Sequence, residues 1–131
     1  MLSKKLALSL LLALQGAFAF AWDASQYRSN AETGDSVAQY NLGVCYERGF
    51  GVDKSLEDAY SWYRKSADQG YANAQYRTAR FNYNGWGVSK DPVAAADYAR
   101  KAADAGNPDA ALLLGKILWH GDKGVELNIP D

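Results

Sequence analysis

The residues that could do chemistry are few and scattered. His120 is the only histidine and Cys45 the only cysteine in 131 residues. A Ser-His-Asp triad, a Cys-His nucleophile pair or a histidine-based metal cluster would each have to be assembled around one position. Nothing in the spacing brings Cys45 and His120 together. A lone thiol cannot form an internal bridge, so Cys45 is expected as a small buried residue of a helix, with an intermolecular bridge as the alternative. The carboxylates Asp53, Glu57 and Asp58 gather at a helix start, where they favour the positive end of the helix dipole. General acid–base work would also need a cleft around them. Gly49-x-Gly51 and Gly85-x-Gly87 lack a third glycine and follow predicted helices, not strands, which makes them poor phosphate loops. No catalytic set, metal or cofactor is expected from these residues.

The elements that carry them repeat at a fixed period. Ala67-Asp68-Gln69-Gly70 returns 36 residues later as Ala103-Asp104-Ala105-Gly106, and Ala31-Glu32-Thr33-Gly34 stands 36 residues before it. Repetition at one period without gaps marks a stack of like units, not a single globular core. The first complete unit spans 35–70. Asp35 caps a helix over 35–48, with Ala38, Leu42, Cys45 and Tyr46 on one face. Gly49-Phe50-Gly51-Val52 breaks the pattern. Ser55, with Asp58 three positions on, opens a second helix over 55–69, and Gly70 ends it.

The second unit, 71–106, repeats this plan, with Asp91-Pro92 as cap and first helical residue. Residues 22–34 supply the second half of a preceding unit. Residues 107–131 begin a third unit at Asn107-Pro108, with one extra residue in its loop 121–125, and 128–131 look like the start of a further helix. Phe50 and Trp86, at the loop tips, are expected to pack on a neighbouring unit, with an exposed aromatic contact as the alternative.

The first 21 residues stand apart from this pattern. Lys4 and Lys5 form a basic region, Leu6–Leu14 a short apolar run, and Ala19-Phe20-Ala21 an A-x-A site. This arrangement predicts a signal peptide cleaved after Ala21. An N-terminal membrane anchor is the alternative, but the run is short for a span of roughly 20 residues. The mature chain, Trp22–Asp131, would carry 12 basic and 15 acidic residues, a net charge of −3. The signs are interspersed, so neither a nucleic-acid footprint nor a polybasic membrane patch is present. Periplasmic or secreted placement follows as the expectation.

Ala38-Gln39-Tyr40-Asn41-Leu42-Gly43, Tyr46, Gly49-x-Gly51-Val52, Ala59 and Trp62-Tyr63-Arg64-Lys65-x-Ala67 together resemble the Sel-1-like repeat, the 36-residue relative of the tetratricopeptide repeat. The second unit departs at Thr78, Ala79 and Asn82, where the pattern has Leu, Gly and Tyr. The resemblance implies an all-α, right-handed α-solenoid whose first helices line a concave face that holds a partner protein. Carried over position by position, that face is Val37, Tyr40, Val44, Glu47 and Arg48, then Asn73, Tyr76, Arg80, Tyr83 and Asn84, then Asp109, Leu112, Lys116, Trp119 and His120. Tyr40, Val44, Arg48, Arg80, Tyr83, Asn84, Lys116, Trp119 and His120 are the candidate partner-binding residues. Arg80, Tyr83 and Trp119 come first, because Tyr, Trp and Arg most often anchor interfaces.

The apolar stretch 110–119 is followed by no closing helix in the sequence, which leaves three readings: a docking surface for a partner, a self-association surface, or a gene truncated after Asp131. The function implied is an exported, non-enzymatic interaction module of the bacterial envelope. Two alternatives follow from the same resemblance. One is an inhibitor or immunity protein against a secreted toxin. The other is a cell-wall or β-lactam hydrolase, which the lone Cys45 disfavours because the relatives linked to that activity carry a cysteine pair in each repeat.

Overall fold

The computed structural model describes residues 23–121 together with Lys4. The rest of the signal segment, the third-unit loop beyond Gly121 and the helix start at 128–131 lie outside the described residues. Among the described residues six helices follow one another without a strand: α1 Ala24–Glu32, α2 Ser36–Arg48, α3 Leu56–Asp68, α4 Ala72–Asn84, α5 Pro92–Asp104 and α6 Pro108–Trp119.

Short polar side chains start most of these helices. Asp35 accepts from the Ala38 amide, Ser55 from Asp58, Asp91 from Ala94 and Asn107 from Ala110, at 3.0, 3.2, 3.0 and 3.0 Å. Each bond satisfies one of the amides that a first helical turn leaves without a partner. Tyr71 occupies the same position before α4 and makes no such bond.

Main-chain ties then recur at the repeat step. The amides of Asp35, Tyr71 and Asn107 reach the carbonyls of Asn30, Ser66 and Ala102 at 3.0, 3.4 and 3.0 Å. Those of Ser55 and Asp91 reach the carbonyls of Tyr46 and Asn82 at 2.9 and 2.8 Å, closing each helix pair. The Nε2 groups of the buried Gln39 and Gln75 donate to the Ala31 and Ala67 carbonyls at 3.1 and 3.3 Å. They clamp the first helix of each unit to the helix before it.

The loop glycines have a second task beyond ending a helix. Gly87 has φ +65° and sits so close to α3 that a Cβ would fall 2.2 Å from the Leu56 carbonyl oxygen. Gly51, one unit earlier, approaches the start of α1 in the same manner, where the Ala24 amide donates to the Phe50 carbonyl at 3.3 Å. Only glycine allows this contact between one unit's loop and the preceding unit's second helix.

The core runs through the stack in three clusters. Ala24, Ala31, Ala38, Leu42 and Cys45 form the first, Val44, Ala59, Tyr63 and Phe81 the second, and Ala79, Ala95, Ala96, Ala99 and Ile117 the third. Helices pack chiefly on their chain neighbours, and α4 also touches α6. Stability therefore comes from unit-on-unit burial, as in a solenoid. The polar residues of α4 are accommodated locally. Thr78 is fully buried and donates to the Ala74 carbonyl at 2.7 Å, and Asn82 accepts from the Tyr60 hydroxyl at 3.1 Å. No described helix is long and apolar enough to cross a membrane.

Candidate functional site

The first helices α2, α4 and α6 enclose two clefts that the repeat step relates to each other. The earlier one, about 380 Å³, is lined by Tyr40, Val44, Arg48, Phe50 and Arg77. Adding 36 to each number gives Tyr76, Arg80, Asn84, Trp86 and Leu113, and all five line the later cleft of about 400 Å³. Tyr83, Asp109, Leu112 and Lys116 complete it. The repeat thus builds the same hollow twice and fills it with different chemistry.

In the earlier cleft one of the two cations, Arg77, is already matched. Arg77 on α4 pairs with Glu47 on α2 at 3.6 Å, and the Tyr63 hydroxyl donates to the same carboxylate. Burial pushes the Tyr63 phenol well above its ordinary value, and Glu47 adds to the shift. Burial alone would lower the Arg77 pKa, but Tyr40, Tyr63 and Glu47 around it outweigh that effect and hold it raised. Val44 forms the floor; it is 7 % exposed and belongs to the apolar cluster beneath. Arg48, at the end of α2, is exposed.

The later cleft holds its cations differently. The Arg80 guanidinium carbon lies 5.7 Å from the centre of the Tyr76 ring and 5.4 Å from that of Trp86. Lys116 and Lys90 each place their ammonium about 5.5 Å from the Tyr83 ring centre. Ring faces attract cations without neutralising them. The ion pairs among the described residues are Arg64–Asp68, Arg77–Glu47 and Arg100–Asp97, and none involves Arg80 or Lys116. Leu112, 75 % exposed, contributes an apolar wall. The Asn84 side-chain amide donates to the Arg80 carbonyl at 2.9 Å, so its donor serves the end of its own helix.

Of the candidates, Arg80, Tyr83, Asn84 and Lys116 come together in the later cleft and Tyr40, Val44 and Arg48 in the earlier one. Trp119, 88 % exposed, and His120 lie at the end of α6 and line neither. Phe50, Arg77, Trp86 and Leu113 were missed as cleft residues. Arg77 and Leu113 could have been found from their spacing, each one position after a cleft residue, Tyr76 and Leu112. Trp86 meets Phe81 of its own unit edge-on, with ring centres 5.6 Å apart, and stays partly exposed. Phe50 packs on the first core cluster, shared with α1.

Cys45 is fully buried, forms no disulfide, and has its thiol pushed up to about 11 by burial, with Asp23 adding to the shift. Among the described residues no group of three or more His, Cys, Asp and Glu is placed to hold a metal.

Comparison with known proteins gives one consistent result. The Sel1 repeat family model matches residues 36–71, 72–107 and 108–130. Over 32 residues the chain is 53 % identical to a sel1-like repeat-containing protein of Acanthamoeba polyphaga mimivirus, covering 24 % of this chain and 6 % of that one. The crystal structure of a Sel1 repeat protein from Oxalobacter formigenes superposes with a TM-score of 0.75 at 35 % identity, over 79 % of this chain and 42 % of that one. For c5321, a protective antigen of uropathogenic Escherichia coli strains with the same fold, the values are 0.76, 34 %, 79 % and 22 %. Cysteine rich protein B of Helicobacter pylori matches at 0.66 and 26 %, over 70 % and 68 %. The chain spans less than half the length of the viral protein and of the first two structures.

Proposed function

The chain belongs to the Sel1 repeat family, whose members are generally protein-interaction modules, and we propose that it is an exported module that holds a partner protein against the face of α2, α4 and α6. One observation carries this reading: Tyr76, Arg80, Tyr83, Trp86, Leu112 and Lys116 share one open cleft between two helices of adjacent units. Aromatic rings beside ordered cations and an exposed leucine supply the residue types that dominate interface energetics. The solenoid supplies an extended face and the rigid backbone that positions them. It needs no catalytic pocket, and the fold is typically a scaffold.

Export rests on the N-terminal sequence, where a basic pair, a short apolar run and Ala19-Phe20-Ala21 precede the first helix. N-terminal sequencing of the protein recovered from a periplasmic fraction checks it; the expected first residue is Trp22. Partner binding is checked by cross-linking and pull-down from envelope extract, using the full chain and an Arg80→Ala/Tyr83→Ala variant of matched stability. Partners retained by the full chain should be lost by the variant. Undiminished recovery of every one of them would move the interface elsewhere.

A further inference from the structure

We infer that the cleft between α4 and α6 receives an acidic, extended segment of the partner, whose carboxylates meet Arg80 and Lys116 while an apolar side chain lies against Leu112 and Trp86. This deepens the reading above and rests on it. Three observations lead to an acidic occupant.

The first is charge. The first helices carry four cations, Arg48, Arg77, Arg80 and Lys116, against two acids, Glu47 and Asp109, in a chain whose net charge is −1. Glu47 is taken by Arg77 and Tyr63. Asp109 stands in the first turn of α6, where the amide ends of the helix favour it. Positive charge therefore concentrates on this face against the sign of the whole molecule, and a ligand of opposite charge is steered to it.

The second is order. Arg80 lies near two ring faces. Such a guanidinium is partly immobilised before any ligand arrives, while its edge N–H groups remain open to a carboxylate, which they can grip with two bonds. Holding the side chain in advance lowers the entropy lost on binding. Lys116, held against Tyr83, offers a second point charge from the neighbouring helix.

The third is the contrast with the earlier cleft. Arg77, which lines it, already has a carboxylate supplied within the chain. At the corresponding place the later cleft has Leu113 opposite Tyr83, so the Glu47–Arg77 pair has no counterpart there, and the cleft's own acid, Asp109, makes no ion pair with Arg80 or Lys116. An acidic side chain from outside would supply there what Glu47 supplies one unit earlier. Alternate side chains of an extended segment share one face, roughly 7 Å apart, within reach of two long cations on helices packed roughly 8–10 Å apart, so acids at i and i+2 suit Arg80 and Lys116.

Three fluorescein-labelled decapeptides provide the test. They share Leu and Phe at two fixed positions and differ at four others, which are all Glu, all Gln or all Lys. Fluorescence polarisation with the full chain at low salt should show the Glu peptide binding at least tenfold tighter than the Gln peptide, and the Lys peptide not at all. Arg80→Gln and Lys116→Gln should each remove about tenfold or more for the Glu peptide and little for the Gln peptide, in variants whose circular-dichroism melts match the parent. Added salt should narrow the gap between Glu and Gln.

Equal affinity for Glu and Gln peptides, both lost in Tyr83→Ala, would overturn the acidic occupant and leave the cleft as the docking site. A Glu peptide bound equally by all three variants would overturn both readings. Failure of every peptide to bind would overturn the acidic occupant alone, since the envelope pull-down tests the docking face separately.

Discussion

In the first full unit the ring of Tyr63 lies over Gly43, so closely that a Cβ on Gly43 would fall 2.6 Å from it. The Tyr63 hydroxyl then reaches Glu47, which holds Arg77 of the next unit. Thirty-six residues on, Tyr63 becomes Ala99, Gly43 becomes Ala79, Glu47 becomes Tyr83 and Arg77 becomes Leu113. Ala79 and Ala99 pack into one small-residue cluster, with Tyr83 and Leu113 against it. One large–small pair has been exchanged for two small residues, and a polar linkage has become an apolar one.

The second unit also leaves two buried side-chain atoms, Gln75 Oε1 and Asn82 Nδ2, without a hydrogen-bond partner. Both units keep the same main-chain ties, so the frame does not depend on these choices. The contrast separates residues that make the stack from residues that give each unit its own surface.

The sharpest way to break that contrast is to convert one unit toward the other. Tyr63→Ala removes a fully buried ring and the donor to Glu47, and should cost about 3–5 kcal/mol in urea unfolding. Gly43→Ala alone drives a methyl into the ring and should cost about 1–3 kcal/mol. Made together, they reproduce the Ala79/Ala99 arrangement. In the Tyr63→Ala background, Gly43→Ala should then be neutral or stabilising, since alanine is the better helix former by about 1 kcal/mol. A strongly negative coupling in the double-mutant cycle is expected. Simple additivity would mean that the ring and the glycine do not constrain each other.

A smaller effect separates the units by pH. Positions 45, 81 and 117 are equivalent and fully or almost fully buried, but they are Cys, Phe and Ile, so of the three core positions only the first unit's carries an ionisable group. Burial holds the Cys45 proton until about pH 11, whereas the unfolded chain releases it near 9.0. Stability from the neutral thiol is fully present below pH 9 and is lost as pH rises through 11, by up to roughly 2–3 kcal/mol. Unfolding midpoints of the parent and of Cys45→Ala should therefore converge between pH 9 and 11. A constant gap across that window would contradict the assignment.

How much of this the sequence disclosed follows from what repeats. The period, the caps at Asp35, Ser55, Asp91 and Asn107, and the loop glycines were legible because each performs a main-chain task that recurs along the chain, Tyr71 being the one cap position among the described helices that lacks it, so chemistry and spacing coincide. The face of α2, α4 and α6 was legible as a set of positions. The pairing of Glu47 with Arg77 was not, because it joins neighbouring units and occurs at one junction only. Trp86 escaped for a related reason: its loop position suggested packing on another unit, while the backbone turn at Gly85 brings it onto Phe81 and beside Arg80. Period-based reasoning finds what is common to the units. The differences that give one cleft its charge require the partner across the junction to be known.

The smallest expected effect tests whether an unpaired atom in the second unit is a real deficit. In the first unit Gln39 Oε1 accepts from Gln69 Nε2 at 2.7 Å. The equivalent of Gln69 is Ala105, and Gln75 Oε1 is left without a partner. The two positions have nearly the same backbone, φ −90° and ψ 0° at Gln69 against φ −80° and ψ 2° at Ala105. A glutamine at 105 can therefore adopt the Gln69 conformation without strain and deliver the missing donor. Ala105→Gln should stabilise by about 1 kcal/mol, the net worth of one such bond, and raise the melting midpoint by about 4–8 °C for a domain of this size. Gln69→Ala should cost a similar amount, since it recreates the second unit's deficit in the first. If Gln69→Ala destabilises while Ala105→Gln changes nothing, Gln75 Oε1 has its need met by solvent, and the two units are closer in energy than their side chains suggest.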